Sequence, residues 1–344
     1  MGENRLKKIG YYSKDLNGHR ASYLEFVQSK FGGERLSGKS LVFWKDPVFF
    51  LMVEDNFALY LLVSFLRVLI GRRTVGLLFR PKPAINGTSF RLKLKKLALK
   101  FLRNFSNVKT FSIVPAPLEP AINEIVDDWI YDFQLWDINF EQKQFVKRIQ
   151  DSYQQPGSEI LNQFEILKKI KIRNKKKILV AIGAQNKGKG IEELAKVINT
   201  LSDADYLVVV AGRFSQDVGI AKQAIEKASG LVFDRFITDD EILALYAIAD
   251  TIWCFYDPSY DQASGILGRA IQLDVTPLVR AKSFSELLCK NEQLNHISIN
   301  NMSELKDALN QHNFDFKDNK LIVKNFQAVS QSKLENALLL NTKV

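Results

Sequence analysis

The chain has 344 residues, of which 46% are hydrophobic and 25% are charged, and its formal net charge is +10. These proportions are ordinary for globular proteins and exclude the disordered and fibrous classes, and the length corresponds to about two domains. The two cysteines, Cys254 and Cys289, lie in apolar runs, and there are three histidines. This content excludes a disulfide scaffold and a cysteine-ligated zinc site, and it suits a reducing compartment.

The positive charge is concentrated in the first half of the chain. Residues 1–172 carry 27 Lys+Arg and 17 Asp+Glu, whereas residues 173–344 carry 21 of each. Within the first half, residues 56–118 contain twelve basic residues and no acidic residue. The asymmetry predicts a basic N-terminal domain over residues 1–172 and a neutral domain over residues 173–329, and it suggests that the first domain faces something anionic.

Apolar runs that alternate with helical patterns predict a parallel α/β sheet in the first half. The predicted strands are residues 7–13, Leu41–Trp44, Thr74–Arg80 and Val108–Val114. The first predicted helix is Ala21–Lys30. The most apolar run, Phe57–Ile70, is shorter than the roughly 20 residues that span a bilayer and is interrupted by Arg67, so it predicts a buried or interfacial helix. The N-terminal residues lack a secretory signal pattern, and we therefore expect a cytoplasmic protein.

The second half has a clearer alternation. Apolar strands without polar alternation, separated by helices, predict a doubly wound parallel sheet. The predicted strands are Lys177–Gly183, Tyr206–Gly212, Leu231–Ile237, Thr251–Tyr256 and Thr276–Arg280. The predicted helices are Ile191–Leu201 and Glu241–Ala249. Asp239 and Asp240 are predicted to cap the latter helix.

Two turns of this half are suited to phosphate. The loop Gly183–Gly190 contains Gly188 and Lys189 and leads into a helix, where backbone N–H groups and the helix dipole favour an anion. Ser264 and Gly265 open another helix after a strand, at the end of the sheet where ligands bind. Each turn has a structural alternative, a glycine-rich turn with solvated lysines or a serine cap. Together they favour a nucleoside diphosphate site.

The ordered motifs of residues 177–281 resemble the donor-binding domain of the GT-B glycosyltransferases, closest to family 4. The matching positions are Gly183, Lys189, Gly190, Phe236, Asp239, Leu245, Tyr246, Ala249 and Asp250. The resemblance implies an α/β GT-B fold with two Rossmann-like doubly wound domains facing a cleft, and a C-terminal helix over residues 330–344 that crosses back. The chain departs from the family at Ala184, where the family has Arg, and at Asp261 and Arg269, where it has two glutamates.

The resemblance implies transfer of a sugar from a nucleotide-sugar to a hydroxyl acceptor, with retention and without a metal or other cofactor. The expected donor-binding residues are Gly183, Gly188, Gly190, Arg213, Asp261, Ser264, Gly265 and Arg269. Lys189 is expected to stabilise the leaving diphosphate, and Arg269 to meet the diphosphate or Asp261. The alternative is a non-catalytic nucleotide-sugar-binding or scaffold homologue, since Arg269 cannot accept a ribose hydrogen bond.

The first domain is expected to bind the acceptor. Gly18, His19 and Arg20 follow the first predicted strand, and the His19 imidazole could position or deprotonate a hydroxyl. A purely structural histidine is the alternative. Asp132, Trp136 and Asp137 are weaker candidates for the same region.

A basic amphipathic helix is predicted in the acid-free segment. Its apolar positions are Phe90, Leu94, Leu97, Ala98, Phe101, Leu102 and Phe105, and its basic positions are Lys93, Lys96, Lys100 and Arg103. We expect residues 67–109 to bind an anionic membrane surface, with the protein peripheral on the inner face and the acceptor a lipid-linked glycolipid or polysaccharide precursor. The alternative is a Rossmann-type helix with solvated lysines. Nucleic-acid-binding motifs are missing from the sequence, and we expect no such partner.

Overall fold

The structure is a computed structural model that describes residues 8–14, 19–153, 159–171, 177–203, 206–312 and 319–340. The chain divides into two compact units: Met1–Phe133 with Lys324–Val344 form unit 1, and Gln134–Val323 form unit 2. This division differs from the predicted boundary at residue 172. Residues 134–172 group with unit 2 because their longest helix packs against a helix of that unit, which the distribution of charge does not report.

Unit 1 contains a six-stranded parallel sheet in the order β2-β1-β3-β4-β5-β6. Its strands are β1 (Gly10–Tyr12), β2 (Glu34–Arg35), β3 (Val48–Phe50), β4 (Thr74–Leu78), β5 (Val108–Ser112) and β6 (Asp128–Trp129). Its helices before the last strand are α1 (His19–Phe31), α2 (Ser40–Phe43), α3 (Phe57–Leu69), α4 (Lys82–Asn86) and α5 (Phe90–Leu102). The central strands β3 and β4 are buried along their whole length, as parallel strands covered on both faces must be.

Unit 2 contains a second six-stranded parallel sheet, in the order β12-β11-β10-β7-β8-β9. Its strands are β7 (Lys177–Ile182), β8 (Tyr206–Ala211), β9 (Leu231–Phe233), β10 (Thr251–Cys254), β11 (Thr276–Arg280) and β12 (Ile297–Ile299). The helices after residue 134 are α6 (Phe140–Tyr153), α7 (Glu159–Asn162), α8 (Glu165–Lys171), α9 (Ile191–Asp203), α10 (Gly219–Lys227), α11 (Asp239–Ile248), α12 (Gly265–Gln272), α13 (Phe284–Asn291), α14 (Leu305–Gln311) and α15 (Lys320–Ala337). Helix α6 packs against α11, and α15 belongs partly to each unit.

The predicted strand at Leu41–Trp44 is wrong. Residues Ser40–Phe43 form the short helix α2, and the strand that pairs with β1 and β4 is β3, which follows Pro47. The carbonyls of Leu41, Val42 and Trp44 accept hydrogen bonds from Arg67 Nη1 at 3.0, 3.2 and 2.8 Å, instead of pairing with a strand. An apolar run of four residues is too short to separate a buried strand from a buried helical turn.

Helix α11 is capped by a different residue than predicted. Thr238 accepts from the Glu241 backbone N–H, and the Glu241 side chain accepts in return from the Thr238 backbone, forming a capping box. Asp239 and Asp240 lie in the first turn, where their charges favour the helix dipole.

The long apolar run forms α3 as predicted. Its Tyr60, Val63 and Arg67 are buried, and its other face is exposed. Within the described parts of the chain, no helix is both long and apolar enough to cross a bilayer.

Candidate functional site

The sheet of unit 2 has a switch point between β7 and β10. The chain proceeds from β7 towards β8 and β9 on one side, and from β10 towards β11 and β12 on the other. The loops after these two strands therefore diverge at the carboxyl end of the sheet, which is where open α/β sheets form a ligand crevice. The loop after β7 is Gly183–Gly190, and the loop after β10 is Phe255–Ser264.

Glycines allow the loops around this crevice to approach one another. Gly190 has φ +68°, and a Cβ there would lie 2.0 Å from the Phe255 carbonyl oxygen. A Cβ on Gly188 would lie 2.9 Å from the Tyr260 ring. Gly188 and Gly190 are therefore required for packing of the loop after β7 against the loop after β10.

Lys189 lies in this contact between the two loops. Its ammonium is 4.4 Å from the ring centroid of Tyr256 and 5.2 Å from that of Tyr260. Burial lowers its pKa to about 8, because desolvation disfavours the charged form. Among the residues that the structure describes, no carboxylate forms an ion pair with it. A desolvated ammonium over two aromatic faces is a good partner for an incoming anion.

The beginning of α12 lies beside the same loops. Ser264 caps the helix by accepting from the Leu267 N–H, and its hydroxyl lies 2.7 Å from the Tyr256 hydroxyl. A Cβ on Gly183 would be 3.4 Å from Ile266, which connects the loop after β7 to this helix. Lys189, Ser264 and the two tyrosines thus form one cluster with an ammonium and a helix N-terminus, both of which favour negative charge.

Arg269 forms an ion pair with Asp137, whereas the expected partner was the diphosphate or Asp261. Its Nη1 is 3.0 Å from Asp137 Oδ1, and its Nη2 donates to Oδ2 at 3.2 Å. Gln272 Nε2 also donates to Asp137 Oδ1, at 2.9 Å. Asp137 was predicted for the acceptor side, and it lies in unit 2 with the second turn of α12.

The Asp261 carboxylate interacts with the beginning of α13 instead. Its Oδ1 accepts from the backbone N–H of Phe284, the first residue of α13, at 2.7 Å and lies 3.9 Å from Arg280 Nη2. The predicted Asp261 and Arg269 pair is therefore separated into two interactions with different partners.

The remaining predicted residues have simple environments. Arg213 is exposed, and its carbonyl accepts from Gln185 N at 2.8 Å. In unit 1, Arg20 forms a bidentate pair with Asp55 at 2.5 and 2.7 Å. Gly18 lies outside the described residues, and His19 is described only as the first residue of α1.

Two of the weaker candidates are buried. Asp132 accepts a 2.8 Å hydrogen bond from the Tyr23 hydroxyl within unit 1. The Trp136 side chain is buried in unit 2.

Sequence reasoning missed Tyr256, Tyr260 and Gln272. Both tyrosines lie in the segment after β10, which neighbours the Lys189 loop at the same end of the sheet. This placement could have predicted their contact with Lys189. Gln272 lies one helical turn from Arg269. Its side-chain amide donates to the Gln134 carbonyl at 2.7 Å and accepts from the Ile138 N–H at 2.9 Å. Only the tertiary contact shows that role.

The Arg269–Asp137 pair makes a testable contribution to stability. Replacing Arg269 by Met is expected to lower the free energy of unfolding by about 2 kcal/mol, because the largely buried Asp137 carboxylate then keeps only neutral donors. In an Asp137→Asn background, Arg269→Met should lower the free energy of unfolding by at least about 1 kcal/mol less, since residue 137 then carries no charge that could be left unpaired. Denaturant unfolding of the four proteins measures both values. An equal loss in both backgrounds would show that the pair has no coupling.

Solved structures of glycosyltransferases share this fold. A glycosyltransferase from Rickettsia africae ESF-5 has a TM-score of 0.61 at 13% sequence identity, over 99% of this chain and 100% of that chain. The E. coli trehalose-6-phosphate protein bound with UDP-2-fluoro glucose has a TM-score of 0.60 at 9% identity, over 96% and 99%. WaaG, a glycosyltransferase involved in lipopolysaccharide biosynthesis, has a TM-score of 0.50 at 12% identity, over 97% and 100%.

Neither a family model nor a curated protein matches the sequence. The structural likenesses confirm the predicted resemblance to GT-B glycosyltransferases and the predicted α/β fold class with two Rossmann-like sheets. At these identities the likeness concerns the fold.

Proposed function

We propose that the protein is a glycosyltransferase that moves a sugar from a nucleotide-sugar donor to a hydroxyl acceptor. The observation that carries this proposal is Lys189, a desolvated ammonium at the switch point of the unit 2 sheet that no carboxylate of the described ranges pairs with. The E. coli neighbour bound with UDP-2-fluoro glucose supports a nucleotide-sugar as the ligand class.

The chemistry follows from where charge develops. As the bond between the sugar and the diphosphate breaks, negative charge grows on the leaving diphosphate, and fixed donors in a dry site stabilise it. We assign this role to Lys189 and to the backbone N–H groups that follow Ser264, with Gly183, Gly188 and Gly190 allowing close approach. In this proposal no metal or other cofactor takes part. Arg269 acts through Asp137, by fixing residues 134–137 beside α12.

The acceptor belongs to unit 1 in this proposal. His19 positions or deprotonates the acceptor hydroxyl, and Arg20, oriented by Asp55, lies next to it in sequence. Retention of configuration is proposed by analogy with family 4 alone. The acceptor is a lipid-linked glycolipid or polysaccharide precursor, and the protein works at the cytoplasmic face of a membrane. The basic segment over residues 67–109 supports this part of the proposal.

A second candidate function is favoured by one observation. Arg269 stands where the resembling family has a ribose-binding glutamate, and it is engaged by Asp137. Such a protein could bind a nucleotide-sugar without transferring the sugar.

A ligand screen tests the proposal. Of UDP, GDP, dTDP and CMP, at least one is expected to raise the melting temperature of the wild-type protein, because a ligand that binds only the native state stabilises it. Sugar release or transfer is then measured with nucleotide-sugars of the same base. A nucleotide that binds without any turnover would favour the non-catalytic candidate. If none of the four shifts the melting temperature, the donor site is misassigned.

A further inference from the structure

Helix α3 has an apolar face that is about half exposed or more. Leu62, Phe65 and Leu69 are 56%, 46% and 66% exposed, and their spacing of three and four residues places them along one side of the helix. The opposite side carries the buried residues Tyr60 and Val63, which pack in the core of unit 1.

Helix α5 repeats this arrangement. Phe90, Leu94, Leu97 and Phe101 are 81%, 55%, 64% and 51% exposed, again along one side. The core side of α5 is formed by Leu99 and Leu102. The exposed surface of this helix therefore combines an apolar stripe with the exposed cations Arg91, Lys93 and Lys100.

The two exposed stripes point to the same side of unit 1. Helix α3 connects β3 to β4 and α5 precedes β5, and these three strands are consecutive neighbours in the sheet. Right-handed crossovers in one direction place both helices on the same face of the sheet. The helices also touch, since the Lys95 ammonium lies 5.1 Å from the Phe57 ring centroid. We call the seven residues Leu62, Phe65, Leu69, Phe90, Leu94, Leu97 and Phe101 the apolar face.

Cations border the apolar face. Arg91 and Lys93 are exposed, their positions on α5 lie on either side of its stripe, and neither forms an ion pair within the described part of the chain. Two other lysines of α5, Lys96 and Lys100, pair with Glu124, and Arg67 is buried, so only part of the charge predicted for this surface is available. A second copy of the same surface would be repelled by these cations.

We propose that the apolar face inserts into the interface of an anionic lipid bilayer, with Arg91 and Lys93 contacting the headgroups. This inference rests on the proposed function for its purpose, access to a lipid-linked acceptor. It adds that docking depends on the insertion of exposed apolar side chains from two helices, including Leu62 and Phe65 outside the basic segment, and is not only electrostatic. An interface that offers acyl chains beneath negative headgroups matches both the apolar stripe and its basic border.

Vesicle binding without nucleotide or acceptor tests the insertion. Leu94→Gln/Leu97→Gln is expected to weaken partition onto phosphatidylglycerol/phosphatidylcholine vesicles by about tenfold or more, because it removes apolar area from the inserted surface. The matched control is Phe140→Gln/Ile220→Gln, which changes two residues of unit 2 that are 73% and 86% exposed, and it should bind as wild type. Equal binding by the two double variants would overturn the proposal.

A depth probe separates insertion from electrostatic docking. The native cysteines are buried, so Leu97→Cys can be labelled selectively with a polarity-sensitive dye, and Ile220→Cys serves as the control. The dye at position 97 should shift to the blue on vesicles, be quenched by lipids with nitroxide on the acyl chain, and keep most of this response in 0.5 M salt. Loss of the response in salt, or a blue shift without vesicles through self-association, would overturn the insertion.

The test is independent of catalysis. Insertion by a protein that binds no nucleotide would refute the proposed function alone, and nucleotide-dependent sugar transfer by a protein that does not insert would refute this inference alone.

Discussion

Replacing Lys189 by alanine is expected to lower the rate of sugar transfer about a hundredfold, which corresponds to about 2.7 kcal/mol of lost transition-state stabilisation. Among the described residues no carboxylate pairs with this ammonium, so the variant would deprive the leaving diphosphate of a fixed positive charge. The fold should persist, because the backbone contacts of residue 189, including the 3.0 Å bond from Trp253 Nε1 to its carbonyl, do not use the side chain. Steady-state kinetics and thermal unfolding measure the two effects.

Lys187→Ala is the matched control, since Lys187 is exposed in the same turn. It should retain nearly all activity. Wild-type activity in a folded Lys189→Ala protein would remove Lys189 from the donor site.

The pH dependence of diphosphate binding shows whether the charge is responsible. Because the pKa of Lys189 is lowered to about 8, the free protein loses this charge as the pH rises above that value, and affinity should then fall by up to about tenfold per pH unit. Lys189→Arg keeps its charge at these pH values, so its affinity should be flat. Folding stability should change with pH in the opposite direction to affinity. Because the pKa of Lys189 is lower in the folded than in the unfolded protein, the native state gains stability as the pH rises above about 8.

Replacing Arg67 by methionine is expected to lower the free energy of unfolding by about 3 kcal/mol, because buried backbone carbonyls lose their charged donor and each unsatisfied buried acceptor costs about 1–3 kcal/mol. Arg67 is fully buried, and burial lowers its pKa to about 10, so it remains charged at neutral pH. Its guanidinium donates to backbone carbonyls of Leu41, Val42, Trp44, Asp46 and Arg73. Methionine fills a similar volume but donates no hydrogen bond. The Leu41 and Asp46 carbonyls then lose the guanidinium, whereas the Val42 and Trp44 carbonyls keep only the longer bonds from Arg72, and the Arg73 carbonyl keeps the bond from the Val48 N–H.

Arg72→Met is the matched control. Arg72 donates to two of the same carbonyls, but at 3.4 and 3.3 Å and from a partly exposed position, so its loss should cost less than about 1 kcal/mol. Chemical denaturation of both variants decides the matter. Equal stability of the two proteins would mean that the buried guanidinium does not hold α2 in place.

Strong local patterns allowed much of unit 2 to be predicted. The strands β7, β8 and β10 are continuous apolar runs, and such runs have few alternatives to a buried parallel strand when glycine turns follow them. The glycine-rich loop after β7 and the serine cap of α12 were likewise visible, because φ > 0 and capping need particular residue types.

Short apolar runs and single charged residues were insufficient to predict the local structure or the interaction partner. Leu41–Trp44 has the composition of a strand, yet the guanidinium of Arg67, distant in sequence, supplies donors that make a helical turn the better solution. Likewise, the sequence suggested the diphosphate or Asp261 as the partner of Arg269, and only the fold places an Asp137 oxygen 3.0 Å from its guanidinium. Which partner a long charged side chain reaches depends on neighbouring elements, not on its own segment.

The sequence by itself determined the two α/β halves, the basic character of the first and the phosphate-suited turns of the second. These features depend on periodicity and on residue types, which are local. Tertiary structure decided that Lys189 lies over Tyr256 and Tyr260, and that the apolar stripes of α3 and α5 face solvent. A helix with two apolar sides can bury either one, and only the position of the sheet determines which side the core covers.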